Sequence, residues 1–254
     1  MKQELKEILS SFFVEVVVDY SIDLPGVSMV DMTEIEVIND LVTSRTECFN
    51  AVDKKVGGAN LMKWFGNLVT AHLYLVSLKN KWLSFEGLTL NENGKNAMIY
   101  ILQPQLEDIP DEEREQYLRS KVASLFTKLE PVFTNIAEAS GLSKQQTWGL
   151  LANSFYNHLT KWLLLGDQPK IERDVELLKS IDLSLAGLKR NPYNVTFRFV
   201  DSWWEPLEPV RIKAACCMSY LKSEGKYCYS CPKLSKDART ERAFQLKMAK
   251  ENKM

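Results

Sequence analysis

"WLSFEGLTLNENGKNAMIYILQP", residues 82–104, is where the hydrophobic pattern of this chain changes its period. β-Rich runs flank Asn93-Gly94, a dipeptide suited to the tight turn of a hairpin, and Pro104 closes the stretch. We expect a β-hairpin near residues 84–102. On both sides apolar residues recur at helical spacing. Upstream, "DMTEIEVINDLVTSRTECFNAV" (31–52) puts Ile35, Ile38, Val42, Phe49 and Val52 on one helical face. "NLMKWFGNLVTAHLYLVSL" (60–78) reads as a long apolar helix with Asn60 as its N-cap. Downstream, "DEEREQYLRSKVASLFTKLEPVFTNIAEA" (111–139) is helical, with a kink or break expected at Pro131. Ser143 and Gln146 form a capping box for the next helix, which Gly166 ends.

The remaining segments follow by the same reading. Leu5, Ile8, Leu9, Phe12, Phe13 and Val16 predict an opening helix, although "VEVVVDY" (14–20) has the composition of a strand. A turn is expected at Pro25-Gly26. "IERDVELLKSIDL" (171–183) is a short helix, and "YNVTFRFVD" (193–201) a strand leading through "SWWEPLEP" into a cysteine-rich segment. The tail from Asp237 is a charged helix expected to fray. With no internal repeat and no low-complexity linker, the chain reads as one α+β, mainly helical domain over residues 1–254. Its parts are an N-terminal α+β portion (1–105), a helical portion (106–190) and a C-terminal segment (191–254) bearing a cysteine-rich, cluster-binding loop.

Composition excludes several function classes. The 254 residues are 45% hydrophobic and 26% charged, enough apolar content for a core without disulfide staples. The 32 basic and 33 acidic side chains are spread along the chain, so no basic stripe marks a nucleic-acid partner. Glu15 and Asp19 interrupt the N-terminal apolar run, and no segment has the ~18 uninterrupted apolar residues of a spanning helix. These features predict a cytoplasmic protein with no transmembrane segment; a peripheral membrane association is compatible with them. "NVT" at Asn194 matches a glycosylation sequon that has no meaning in that compartment. Gly57-Gly58 is too short for a phosphate loop and no dinucleotide fingerprint is present. Reducing equivalents would then come from a separate protein.

Four of the five cysteines lie in "CCMSYLKSEGKYCYSC" (216–231). Cys216, Cys217, Cys228 and Cys231 give the spacing C-C-x10-C-x2-C. Inert burial of four thiols is one reading, but Gly225, Pro232 and the neighbouring lysines are loop composition. A structural zinc ion is the second. Zinc takes four thiolates, usually from two C-x2-4-C knuckles, and only Cys228–Cys231 is one. The third is a [2Fe–2S] cluster, which spreads four thiolates over two irons and accommodates a vicinal pair more easily.

The same stretch, with Arg211 and Lys213 before it and Pro232 after it, closely resembles the C-terminal signature of the FhuF-like ferric siderophore reductases. In that family C-C-x10-C-x2-C usually follows basic residues and precedes proline. The resemblance implies that Cys216, Cys217, Cys228 and Cys231 ligate a [2Fe–2S] cluster. It implies an oxidoreductase that reduces siderophore-bound Fe(III) to Fe(II) and releases iron in the cytoplasm. The electron donor would be a ferredoxin or flavodoxin-type reductase. Balanced net charge favours hydroxamate or citrate-hydroxamate siderophores over highly anionic catecholates. Trp203, Trp204, Arg211, Lys213 and Lys226 are the candidate substrate contacts, the two Trp competing with a purely packing role. Arg211, Lys213, Lys222 and Lys226 would also stabilise the reduced cluster. The contrasting reading is a non-catalytic interaction or sensor module stabilised by zinc or an iron–sulfur cluster. His72 and His158 fall on apolar helical stripes and are expected in the core, and Cys48 is expected to be a small core or boundary residue.

Overall fold

The first twenty residues hold both of the elements their composition suggested. In the computed structural model, which describes residues 3–18, 24–184 and 187–252, helix α1 (Gln3–Ser11) buries Leu5 and Leu9. Phe13, at a φ of 60°, turns the chain into strand β1 (Val14–Val17). The hairpin forms where expected, with its turn one residue further along than Asn93-Gly94 suggests. Strands β4 (Gly87–Asn93) and β5 (Asn96–Leu102) pair antiparallel from Gly87↔Leu102 to Asn93↔Asn96, around a two-residue turn at Gly94-Lys95. In β5 the buried residues alternate, Ala97, Ile99 and Ile101, so one face of the pleat meets the core. The non-local partners could not be read from the hairpin alone. β1 adds in parallel to β5, and β2 (Val27–Ser28) adds to β4, giving the order β1-β5-β4-β2. A second ribbon pairs β3 (Lys81–Ser84) with β6 (Gln105–Asp108).

Five helices pack on this framework: α2 (Ile35–Cys48), α3 (Lys55–Lys79), α4 (Arg114–Ser140), α5 (Lys144–Leu165) and α6 (Gln168–Ser180). α3 is central. It packs against α2, α4 and α5 and is buried on nearly every side, which accounts for its continuous apolar sequence. It starts at Lys55, so Asn60 lies inside it and does not cap it. Asn60 Oδ1 is instead occupied by Arg45 Nε (2.8 Å) and Trp64 Nε1 (3.2 Å). Gly57, which resembles a loop residue, allows the α2–α3 approach: a Cβ there would lie 2.1 Å from the Val42 carbonyl oxygen.

Pro131 does not break α4. Leu129, Val132, Phe133 and Ile136 around it are all buried, and this packing outweighs the missing N–H. Ser143 does cap α5, its hydroxyl accepting from Gln146 N at 3.2 Å, and Gly166 ends that helix. The strand expected over 193–201 shrinks to β7 (Phe199–Val200), paired with β8 (Val210–Arg211). Tyr193 is drawn instead into the core, where it stacks on Phe126 with ring centroids 5.9 Å apart. The charged tail forms α7 (Lys236–Glu251), capped by Ser235, and is docked through Arg239. One contiguous core runs from Leu5 to Cys231. The architecture is α+β and mainly helical, with the cysteine-rich loop near the C-terminus. Among the described residues no helix is long and apolar enough to cross a membrane.

Candidate functional site

The vicinal cysteines are held from behind by α5. Asn153 Oδ1 accepts from Ala214 N (2.9 Å) and Ala215 N (3.3 Å), while its Nδ2 donates to Ala215 O (2.7 Å). Gln146 Nε2 donates to Cys216 O at 3.2 Å. These bonds fix the backbone entering Cys216-Cys217. Met218, at a left-handed φ of 57°, then turns the chain into a short 3-10 turn at Ser219–Leu221. Lys222 forms a β-bridge with Ala51, and Ser223 N donates to Asn50 O (3.1 Å), tying the loop to the α2–α3 connection.

Gly225 lies beneath this loop, where a Cβ would sit 2.4 Å from Ser219 O and 2.7 Å from Lys222 O. Gly225→Ala must therefore push the turn outward. The expected cost is about 1–3 kcal/mol, read as a lower urea midpoint. An unchanged midpoint would show that the loop yields without strain.

The second pair of cysteines is pinned by α7. Cys231 N donates to Cys228 O (3.0 Å), closing the C-x2-C turn. The buried Arg239 guanidinium donates to Cys231 O (2.9 Å), Leu234 O (3.2 Å) and Tyr229 O. Lys213 N donates to Ser230 O (3.0 Å), joining the two halves of the site.

The four side chains come together as two pairs of free thiols. Cys216 Sγ and Cys231 Sγ are 3.5 Å apart and buried; Cys217 and Cys228 are half-buried and both face the Lys213 ammonium. Each pair takes one member from the vicinal dipeptide and one from the C-x2-C turn. Lys213 Nζ lies 3.4 Å from Cys228 Sγ and 3.9 Å from Cys217 Sγ, and Ser219 Oγ lies 3.2 Å from Cys217 Sγ. The neighbouring Cys228 thiol, with help from Ser219 and Lys213, pulls the Cys217 thiol down to about 4. The neighbouring Cys217 sulfur, together with burial, pushes Cys228 up. Burial and the neighbouring Cys231 raise Cys216 to about 11. Burial opposes the Lys213 charge, but the surrounding thiols more than offset it, so this ammonium is stabilised. The site thus provides soft sulfur donors, one of them readily ionised beside a cation. Such donors suit zinc or an iron–sulfur cluster.

Beside Cys217 opens a cleft of about 570 Å³. α3 contributes Asn60, Lys63 and Asn67 to its wall, and α5 contributes Asn153 and Asn157. The hairpin tip adds Lys95 and Asn96, and the cysteine loop adds Lys213, Ser219 and Lys222. Four lysines and no carboxylate line it.

Of the five residues expected to touch substrate, Lys213 alone is in this lining. Arg211 lies outside the lining, donating to Asn157 Oδ1 (2.9 Å) and covering the Phe197 ring at 4.7 Å. Trp203 and Trp204 pack on each other, with Lys250 of α7 4.2 Å above the Trp204 ring. Lys226 is exposed. His72 is a core residue, its ring nitrogens 2.9 Å from Leu68 O and 3.0 Å from Leu83 O. His158 is not: it is half-buried and lines the cleft, its proton affinity lowered by burial and by Lys161. Cys48 is a boundary residue whose thiol bonds Gly94 O at 3.2 Å. A signal for the cleft was present in Asn60-Lys63-Asn67 and Asn153-Asn157, polar residues at three- and four-residue spacing on otherwise apolar helices. No family model matches this chain, and no curated protein matches it.

Proposed function

We propose that this protein is a ferric siderophore reductase. It would deliver one electron to chelated Fe(III), so that the far more weakly held Fe(II) is released. The observation that carries this reading is the placement of Cys217, which belongs to the four-thiol set and also forms part of the wall of the lysine-lined cleft. A redox centre at the thiols and a chelate in the cleft would be neighbours.

The donor set supports a [2Fe–2S] cluster over a single zinc ion. Sulfurs that share one tetrahedral metal at a 2.3 Å bond lie about 3.8 Å apart, close to the 3.5 Å between Cys216 and Cys231. Cys216 and Cys231 lie together, while Cys217 and Cys228 share Lys213, an arrangement of two and two that suits two irons. Cys216 with Cys231 would hold one iron and Cys217 with Cys228 the other. Bound there, the cluster supplies a single electron at a time.

The protein's own residues do the rest. Lys213 holds a positive charge against the thiols of Cys217 and Cys228, which favours added negative charge at that place. Cys216 and Cys231 are shielded from water, while Cys217 faces the cleft. The lysines and amides of α3, the hairpin tip and the cysteine loop bind and orient the chelate. No general base or nucleophile is needed, since no covalent bond to substrate forms. The reductant would be a separate low-potential protein of the ferredoxin or flavin class, and the compartment a reducing one, the cytoplasm.

The test is a visible and EPR spectrum of anaerobically purified protein before and after dithionite, followed by addition of a ferric chelate. The expected result is a brown chromophore that bleaches, a spin-half signal, and recovery of the oxidised spectrum with one Fe(II) formed per signal lost. Colourless, EPR-silent protein containing one zinc would replace this reading with a non-catalytic module stabilised by metal.

A further inference from the structure

The expectation of a hydroxamate or citrate-hydroxamate substrate rests on the charge of the whole chain, and the cleft has a different local charge. Lys63, Lys95 and Lys222 come from three separate elements, α3, the hairpin tip and the cysteine loop, and line one cavity of about 570 Å³. Among the described residues none of the three forms an ion pair with a carboxylate. Two of the ammonium groups are held against rings, Lys63 at 4.4 Å over Trp64 and Lys222 at 3.7 Å over Phe49. Burial lowers the proton affinity of Lys222, and the charges of Lys95 and Lys63 add to this against the opposing pull of Cys217.

The amides add to the same polarity. Arginine can only donate, so the atoms of Asn60 and Asn157 facing Arg45 and Arg211 must be their carbonyl oxygens. Both side chains therefore have their N–H groups left to offer. A wall of donors and cations, with no acidic side chain, is complementary to a ligand that displays several anionic oxygens.

We infer that the cleft takes ferric chelates of net negative charge, bound by Lys63, Lys95 and Lys222, in preference to charge-neutral ones. This rests on the reductase reading above and specifies its substrate class. Three hydroxamate groups neutralise Fe(III) and leave a complex with no net charge. α-Hydroxycarboxylate and catecholate complexes retain negative charge on their oxygens. Three unpaired ammonium groups in one cleft repel one another in the free protein, and only the anionic class relieves that repulsion.

Binding can be separated from electron transfer with Ga(III), which has the charge of Fe(III) but is not reducible under these conditions. Calorimetric titrations of holoprotein with Ga(III)-citrate, Ga(III)-tris(catecholate) and a Ga(III)-trihydroxamate compare the classes directly. At least one anionic complex is expected to bind about tenfold or more tighter than the trihydroxamate, and the two anionic arms tell carboxylate from catecholate chelation. Lys63→Gln, Lys95→Gln and Lys222→Gln are each expected to weaken it about tenfold, while Lys→Arg at the same positions retains binding. Lys128→Gln is expected to have no effect, since that ammonium donates to Phe85 O and Glu86 O and is not in the cleft lining. Raising salt should weaken the anionic arm selectively.

A trihydroxamate that binds as tightly as both anionic complexes overturns the proposal. So does a triple Lys→Gln variant, folded by circular dichroism, that retains wild-type affinity. If the triple variant does not fold, the wild-type comparison and the single variants still decide. Failure of the reductase reading would show separately, as protein without the spin-half signal, whatever the gallium titrations give.

Discussion

Protein carrying Cys228→Ser is expected to purify without colour and to reduce ferric chelates at least about 100-fold more slowly than wild type, since even residues that only support metal ligands cost up to that much. Cys228 shares the Lys213 ammonium with Cys217, and that ammonium lies 3.4 Å from the Cys228 sulfur. A serine hydroxyl is a hard, weakly acidic donor that replaces a soft thiolate poorly. It also leaves Lys213, a half-buried cation, without one of the two sulfurs it faces. The measurement is iron and sulfide content with single-turnover reduction, alongside circular dichroism to show that the helices remain. Loss of colour with reduction intact would sink the electron-transfer role. Retention of the full chromophore would sink the assignment of Cys228 as a ligand.

The second large effect lies outside the cysteine loop. Arg45→Met is expected to destabilise the protein by about 1.5–3 kcal/mol, because it removes charge-assisted hydrogen bonds at the half-buried hairpin tip and leaves the buried Glu92 Oε1 without its cation. Arg45 is 1% exposed. Its guanidinium donates to Asn60 Oδ1 (2.8 Å), Gly94 O (2.7 Å) and Lys95 O (3.0 Å), and it pairs with Glu92 at 3.2 Å. One side chain on α2 thus ties the hairpin tip to α3, and these two elements carry Lys95, Asn96, Asn60 and Lys63 into the cleft. Affinity for the ferric chelate should fall together with stability. Urea denaturation and a chelate titration at a temperature where the variant stays folded check the two effects. A loss below about 1 kcal/mol, the size of an ordinary surface substitution, would show that the hairpin tip is held by its own strands.

Arg45 also shows where a sequence stops being informative. Its neighbours Ser44 and Thr46 are ordinary helix residues, and nothing local marks the position as the anchor of a turn some fifty residues away. Asn60 is similar. It has the residue type of an N-cap, but the helix begins earlier because Gly57 permits contact with α2 and because Arg45 and Trp64 occupy the side chain. Pro131 is a helix breaker by local chemistry, overridden by the burial of Leu129, Val132, Phe133 and Ile136. In each case a non-local contact outweighed a local preference of about a kilocalorie to a few.

What the sequence determined by itself is whatever depends on neighbours along the chain. The hairpin around Gly94, the Ser143 cap, the helical periods and the C-C-x10-C-x2-C spacing all follow from residues near one another along the chain, where steric and hydrogen-bonding preferences act directly. Only the tertiary structure decided how the four thiols pair, that His158 lines a cleft while His72 is sealed in the core, and that lysines from positions 63, 95, 213 and 222 share one cavity. A balanced net charge of −1 conceals that cluster, because charge along a chain is an average whereas charge in a cleft depends on which elements the core brings side by side.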